Sequence, residues 1–144
     1  MPEETTGFVV DKTNLMKAGT VPVIAAAVAG ALWLLGFLGG LMGLVFWALA
    51  GFAGYWFACL ALKAEPRPPI AHVTIHGAIL GVATGLAYAI VSWIAISIRW
   101  SHFAMYAGYF DLGSVLSTGL QAGIGGAIGA ALWYAYKTGM IKTT

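Results

Sequence analysis

His72 and His76 stand one helical turn apart, a spacing that can present two imidazoles to one metal ion. Metal, haem or pigment ligation is the chemistry such a pair offers, and the sequence leaves the cofactor unnamed. The only other histidine, His102, lies 26 residues beyond His76, about 39 Å away along a helix. The chain alone is therefore not expected to clamp one haem between histidines at its two ends. At 100° per residue, His72 and His76 point roughly away from the small, mildly polar face of the same segment. They are expected to face lipid, a partner or a cofactor, the plainest reading being histidines at headgroup depth.

That small face carries Gly77, Gly81 and Gly85, with Thr84, Tyr88 and Ser92 within about 50° of them. Gln121, the one amide in the apolar segments, is placed to hydrogen-bond across to it. The simpler role is an interhelical bond worth about 1 kcal/mol. The sharper one is the lining of a narrow pore or pocket by Thr84, Tyr88, Ser92 and Gln121.

Little else is available for catalysis. His102 and Asp111 are the candidate acid–base pair of the segment RWSHFAMYAGYFD, with Ser101 and Ser114 the nearest hydroxyls. No recognisable constellation surrounds them, so no enzymatic role is expected. Cys59 is the single cysteine, which excludes an internal disulfide, and it reads as a packed or lipid-facing thiol.

The elements that must position these groups follow from charge. No Asp, Glu, Lys or Arg occurs from Thr20 to Leu62, from Ile70 to Ile98 or from Leu112 to Tyr136. Charged residues make up 8% of the chain, against roughly 25% in a soluble domain. Each uncharged stretch equals or exceeds the roughly 20 residues needed to cross a hydrocarbon core of about 30 Å. The first would be about 64 Å long as one helix, so it is read as two spans with a turn at Gly36, Gly39, Gly40 and Gly43. Pro66, Pro68 and Pro69 separate the second span from the third. Asp111 or Ser114 is expected to cap the fourth. The fold class is thus an all-α integral membrane protein. It is a four-transmembrane-helix bundle with a tight Gly-rich first hairpin and an aromatic outer loop.

The domain boundaries are an N-terminal cytoplasmic or interfacial tail at 1–19, a transmembrane domain at 20–137 and a tail at 138–144. The spans fall at about 21–38, 41–62, 70–98 and 114–136. Phe8, Val9, Val10, Leu15 and Met16 suit a first tail docked on a membrane or partner. Its Glu3, Glu4 and Asp11, and the lack of a cleavage site, favour a retained span over a secretory signal. Trp100, Phe103, Tyr106, Tyr109 and Phe110 suit a loop lying along the outer interface. The other tryptophans are read as interface anchors or packing residues.

Small residues recur at helical spacing: Gly77, Gly81, Gly85 and Ala89 in span three, and Gly119, Gly123, Gly125, Gly126, Gly129 and Ala130 in span four. Such stripes let backbones approach closely in lipid. They are expected to pack the four spans together, with one stripe left over for assembly. The leading functional expectation is a non-catalytic integral subunit that packs through its glycine and alanine stripes into a larger membrane complex, contacting a cofactor or lipid. The alternative is a small homo-oligomeric channel or transporter; an enzyme acting on lipid at the outer loop comes third. The partners expected are the lipid bilayer and other membrane subunits or copies of the chain. A net charge of +2 gives no reason to expect nucleic acid. Spans free of charge argue against a proton-coupled carrier.

Lys12, Lys17, Lys63, Arg67, Lys137 and Lys142 share one side of this topology and Arg99 alone holds the other. The basic side is normally cytoplasmic. A reporter fused to the C terminus should therefore be protected from an externally added, impermeant reagent. Labelling from outside only would refute the orientation.

Overall fold

A computed structural model describes residues 9–35, 39–99 and 112–141. Four helices account for nearly all of them: α1 (Lys12–Ala31), α2 (Gly39–Ala61), α3 (Ile70–Arg99) and α4 (Leu112–Lys137). A 3₁₀ turn at Leu32–Leu35 extends α1. All four are long and apolar enough to cross a membrane, as the uncharged stretches led us to expect.

The ends of the helices differ from the sequence reading in particular places. Helix α1 starts at Lys12, well before Val21, because Asp11 accepts the backbone N–H of Asn14 at 3.1 Å and so caps a first turn. Pro22 sits inside α1 and is buried. Gly39 and Gly40 open α2 and Gly43 lies within it, so three of the four glycines assigned to a turn are helical. Gly36 lies outside the described residues. Ser114 is not a cap, since α4 begins at Leu112 and the Ser114 carbonyl accepts the Thr118 hydroxyl at 2.9 Å. Asp111, the other candidate cap, lies outside the described residues.

The helices form a diamond in cross-section. Helices α2 and α3 touch each other and both remaining helices, while α1 and α4 make no contact among the described residues. One core cluster joins Ala18, Ala58, Val73 and Tyr134 at the end where the described chain starts and stops; another joins Ala29, Phe46, Tyr88 and Ala122 towards the opposite end. The interior combines many alanines and glycines with a few large side chains such as Phe46, Phe57, Tyr88 and Tyr134. Other large ones point out, among them Val21 and Ile24 on α1, Leu44 on α2, Ile90 and Ile98 on α3, and Leu120 and Ile124 on α4. In water this would be an aggregating surface.

Small residues let three backbones meet. A Cβ on Gly54 of α2 would fall on the carbonyl oxygen of Gly126 in α4, and one on Gly77 of α3 would reach the same atom at 2.6 Å. A Cβ on Gly126 would in turn fall on the Gly77 carbonyl. The glycine hydrogens that replace these Cβ atoms point at carbonyl oxygens, a contact worth about 0.5–1 kcal/mol. Farther along, Gly81 and Gly85 meet Ala122 and Thr118, Gly119 and Gly123 receive Leu86 and Val82, and Gly125 and Gly129 face Trp47 and Gly51. Every glycine proposed for packing thus has a close neighbour within the chain.

Gly126→Ala should destabilise the fold by about 1–3 kcal/mol, the ordinary cost of overpacking. Gly43→Ala, whose Cβ meets nothing within 4 Å, should be neutral or gain up to about 1 kcal/mol from helix propensity. Thermal unfolding in detergent compares them; equal midpoints would contradict the close crossing at Gly126.

Candidate functional site

The two histidines lie where α3 begins, beside the start of α1. Their rings are 4.1 Å apart, centroid to centroid. They occupy different surroundings, contrary to the angular argument. His76 is completely buried and stacks on Phe57 of α2, 4.9 Å away and 5° from parallel. His72 is half-buried and lines a recess with Val9, Asp11, Lys12 and Pro68. The reason is that α3 has three neighbours. The side opposite its glycine face is covered by other helices, so an angle measured from one stripe does not identify an outside.

Backbone groups define the state of His76. Its Nε2 lies 3.0 Å from the Asp11 amide nitrogen, and its Nδ1 lies 2.8 Å from the His72 carbonyl oxygen. An amide N–H can only donate, so Nε2 is the acceptor and Nδ1 carries the proton that goes to the carbonyl. Through these two contacts the ring ties the cap of α1 to the first turns of α3. A metal ion at the pair would have to displace one of these backbone partners. No group of three or more His, Cys, Asp or Glu side chains is placed to hold a metal among the described residues. What this cluster does best is anchor.

The mildly polar face of α3 turns towards α1. Tyr88 accepts the indole N–H of Trp33 at 3.0 Å and stacks on Phe46 with ring centroids 5.0 Å apart. Thr84 donates to the Leu80 carbonyl of its own helix at 2.8 Å. Ser92 is fully buried, and its hydroxyl has no hydrogen-bond partner among the described residues. A Cβ on Gly30 would sit 2.7 Å from the Tyr88 carbonyl, so α1 closes directly over this face. The three residues are buried in the bundle.

Gln121 is elsewhere. It lies exposed on the outer side of α4, where its amide donates to Ser117 at 3.2 Å. It therefore does not bridge to Thr84, Tyr88 or Ser92. His102, Ser101 and the aromatic residues Trp100 to Phe110 lie outside the described residues, as does Asp111. Cys59 is half-buried.

Two features escaped the sequence reading. The Asp11–His76 tie joins residues 65 apart, and only an Asp standing shortly before a long apolar run hinted at a cap there. Lys63, Arg67 and Lys137 served only as a topological count, although they also share a surface. Compared with known proteins, the chain matches no family model, no curated protein and no solved structure.

His76→Leu should free the Asp11 N–H from its partner. An unsatisfied buried donor costs about 1–3 kcal/mol, so exchange of that amide should accelerate by about 5- to 150-fold. Hydrogen exchange read by mass spectrometry on the peptide containing Asp11 measures it; unchanged protection would mean that the ring does not hold the helix start.

Proposed function

We propose that this chain is a multi-pass integral membrane protein with both termini on the cytoplasmic side. In this reading it serves as a non-catalytic subunit of a larger membrane assembly. The four apolar helices, their outward large side chains and the six-to-one distribution of basic residues support the first part.

The observation that carries the second part is Gln121. It stands nine residues into α4, about 14 Å from the start of a helix about 39 Å long. That depth lies within a hydrocarbon core of about 30 Å. The amide has two donor hydrogens and an acceptor oxygen, of which Ser117 takes one hydrogen. Around it the outer face is Leu120, Ile124, Ile128 and Leu132, all exposed. An amide facing acyl chains would stay unsatisfied at a cost of several kcal/mol. A neighbouring helix that hydrogen-bonds Gln121 and covers the isoleucines removes that cost. Assembly then runs through this polar-centred face of α4, the glycines being engaged within the chain.

The channel alternative needs Gln121 on the same wall as Thr84, Tyr88 and Ser92. They are separated instead, the three facing α1 and Gln121 facing outwards from α4, so this geometry favours the subunit reading.

Purification in a mild detergent should recover foreign membrane proteins in fixed ratio. Gln121→Leu should weaken that recovery by roughly 5- to 30-fold, the equivalent of an interhelical hydrogen bond of about 1–2 kcal/mol. Recovery of copies of this chain alone, with ion flux in liposomes lost on substitution at Gln121, would replace the subunit with a homo-oligomeric channel.

A further inference from the structure

Lys63, Arg67 and Lys137 converge on one cleft of about 340 Å³ at the C-terminal ends of α2 and α4. Cys59, Leu62, Trp133 and Thr138 complete the lining, which contains no carboxylate among the described residues. Glu65, on the segment between Lys63 and Arg67, is exposed and not part of it. The Lys137 ammonium sits 4.9 Å from the centre of the Trp133 ring and 5.9 Å from that of Tyr136. These cation–π contacts bias a long side chain towards the cleft.

Cations at helix C-termini have an ordinary role, since they offset the negative end of the helix dipole. Two such ends amount together to about one negative elementary charge. Three cations exceed that, and among the described residues no acidic side chain lines the wall to offset the surplus. Guanidinium and ammonium groups around one small cavity suit a tetrahedral phosphate oxyanion.

A second cavity distinguishes which phosphate. An apolar groove of about 470 Å³ runs between α2 and α4, lined by Tyr55, Gly129, Leu132, Trp133 and Tyr136. Trp133 is common to both linings. Gly129 packs on the Gly51 backbone at the floor of the groove, and the aromatic rings wall it. A free phosphate ion would use only the basic cleft. A phospholipid would use both, with its charged head at the cleft and its hydrocarbon in the groove.

We propose that the α2–α4 cleft binds the phosphate of an anionic phospholipid, with one acyl chain lying in the adjoining groove. The proposal rests on the membrane-spanning reading, which places the basic end of the bundle at headgroup depth. There, basic pockets between helices are suited to anionic heads. The lipid occupies α2 and α4 near Leu132 and Trp133, leaving the part of α4 around Gln121 and Ile124 for a protein neighbour.

Native mass spectrometry of the full chain in detergent, titrated with dioleoyl phosphatidylglycerol or dioleoyl phosphatidylcholine, tests it. Lys63→Ala with Lys137→Ala, both at exposed positions, should weaken retention of phosphatidylglycerol by about thirty-fold, from roughly fivefold per cation. Phosphatidylcholine retention should stay unchanged. Lys12→Ala with Lys17→Ala removes the same charge outside the cleft and should leave both lipids unaffected. Equal retention of phosphatidylglycerol by the two double variants would overturn the proposal. Displacement of the lipid by excess inorganic phosphate would assign the cleft to free phosphate and also overturn it. Alkaline carbonate extraction tests the underlying reading separately. A chain that stays in the membrane pellet yet holds both lipids equally defeats the lipid site alone, whereas release into the supernatant defeats the membrane reading itself.

Discussion

The structure depends on one carbonyl oxygen, that of Gly126, enclosed by glycines from two other helices. A side chain on Gly54 or Gly77 would occupy the place of that oxygen. The restriction fixes how near α2, α3 and α4 can come, and so how little volume is left for side chains between them. Alanines and glycines fill much of that interior, while isoleucines, leucines and tryptophans are displaced to the perimeter. A soluble bundle is arranged the other way, with size inside and polarity outside. In lipid, where outward hydrocarbon costs nothing, close contact of backbones is what holds helices together.

This tight interior also decides which chemistry the chain can support. Thr84, Tyr88 and Ser92 are buried, and Gly30 brings α1 down on Tyr88 and Ser92. The hydroxyl of Thr84 is turned onto its own helix, and that of Tyr88 is engaged by Trp33. His76 has both ring nitrogens engaged by main chain. Ser92 is the exception, its buried hydroxyl having no partner among the described residues. On the periphery, the amide of Gln121 and three cations at one end are left to meet something else. The first suits a neighbouring helix and the second an anionic head.

Much of the fold was legible because charge and proline act locally. The absence of charge across three stretches marked the apolar helices, and Pro66, Pro68 and Pro69 marked the break before α3. The recurrence of glycine every fourth residue in α3 showed that a close neighbour was required. What it could not show was how many neighbours α3 has. With α1, α2 and α4 all around it, the angle of His76 from the glycine face leads to Phe57 and not to the exterior. Gln121 failed for the related reason that polarity alone does not reveal which side of α4 is covered. The beginning of α1 was missed because Asp11 caps it through a side-chain contact three residues long, among charges that resembled a tail.

The imidazole of His76 also imposes an order on synthesis. The amide it receives, at Asp11, leaves the ribosome 65 residues earlier, which at ordinary translation speeds is roughly 3 to 13 s. Throughout that interval the first helix has no acceptor for this hydrogen and its leading turn must be served by water or headgroups. Only after the third helix has emerged can the front of the polypeptide be fastened down. The cap of α1 therefore gains this partner only once α3 has been made.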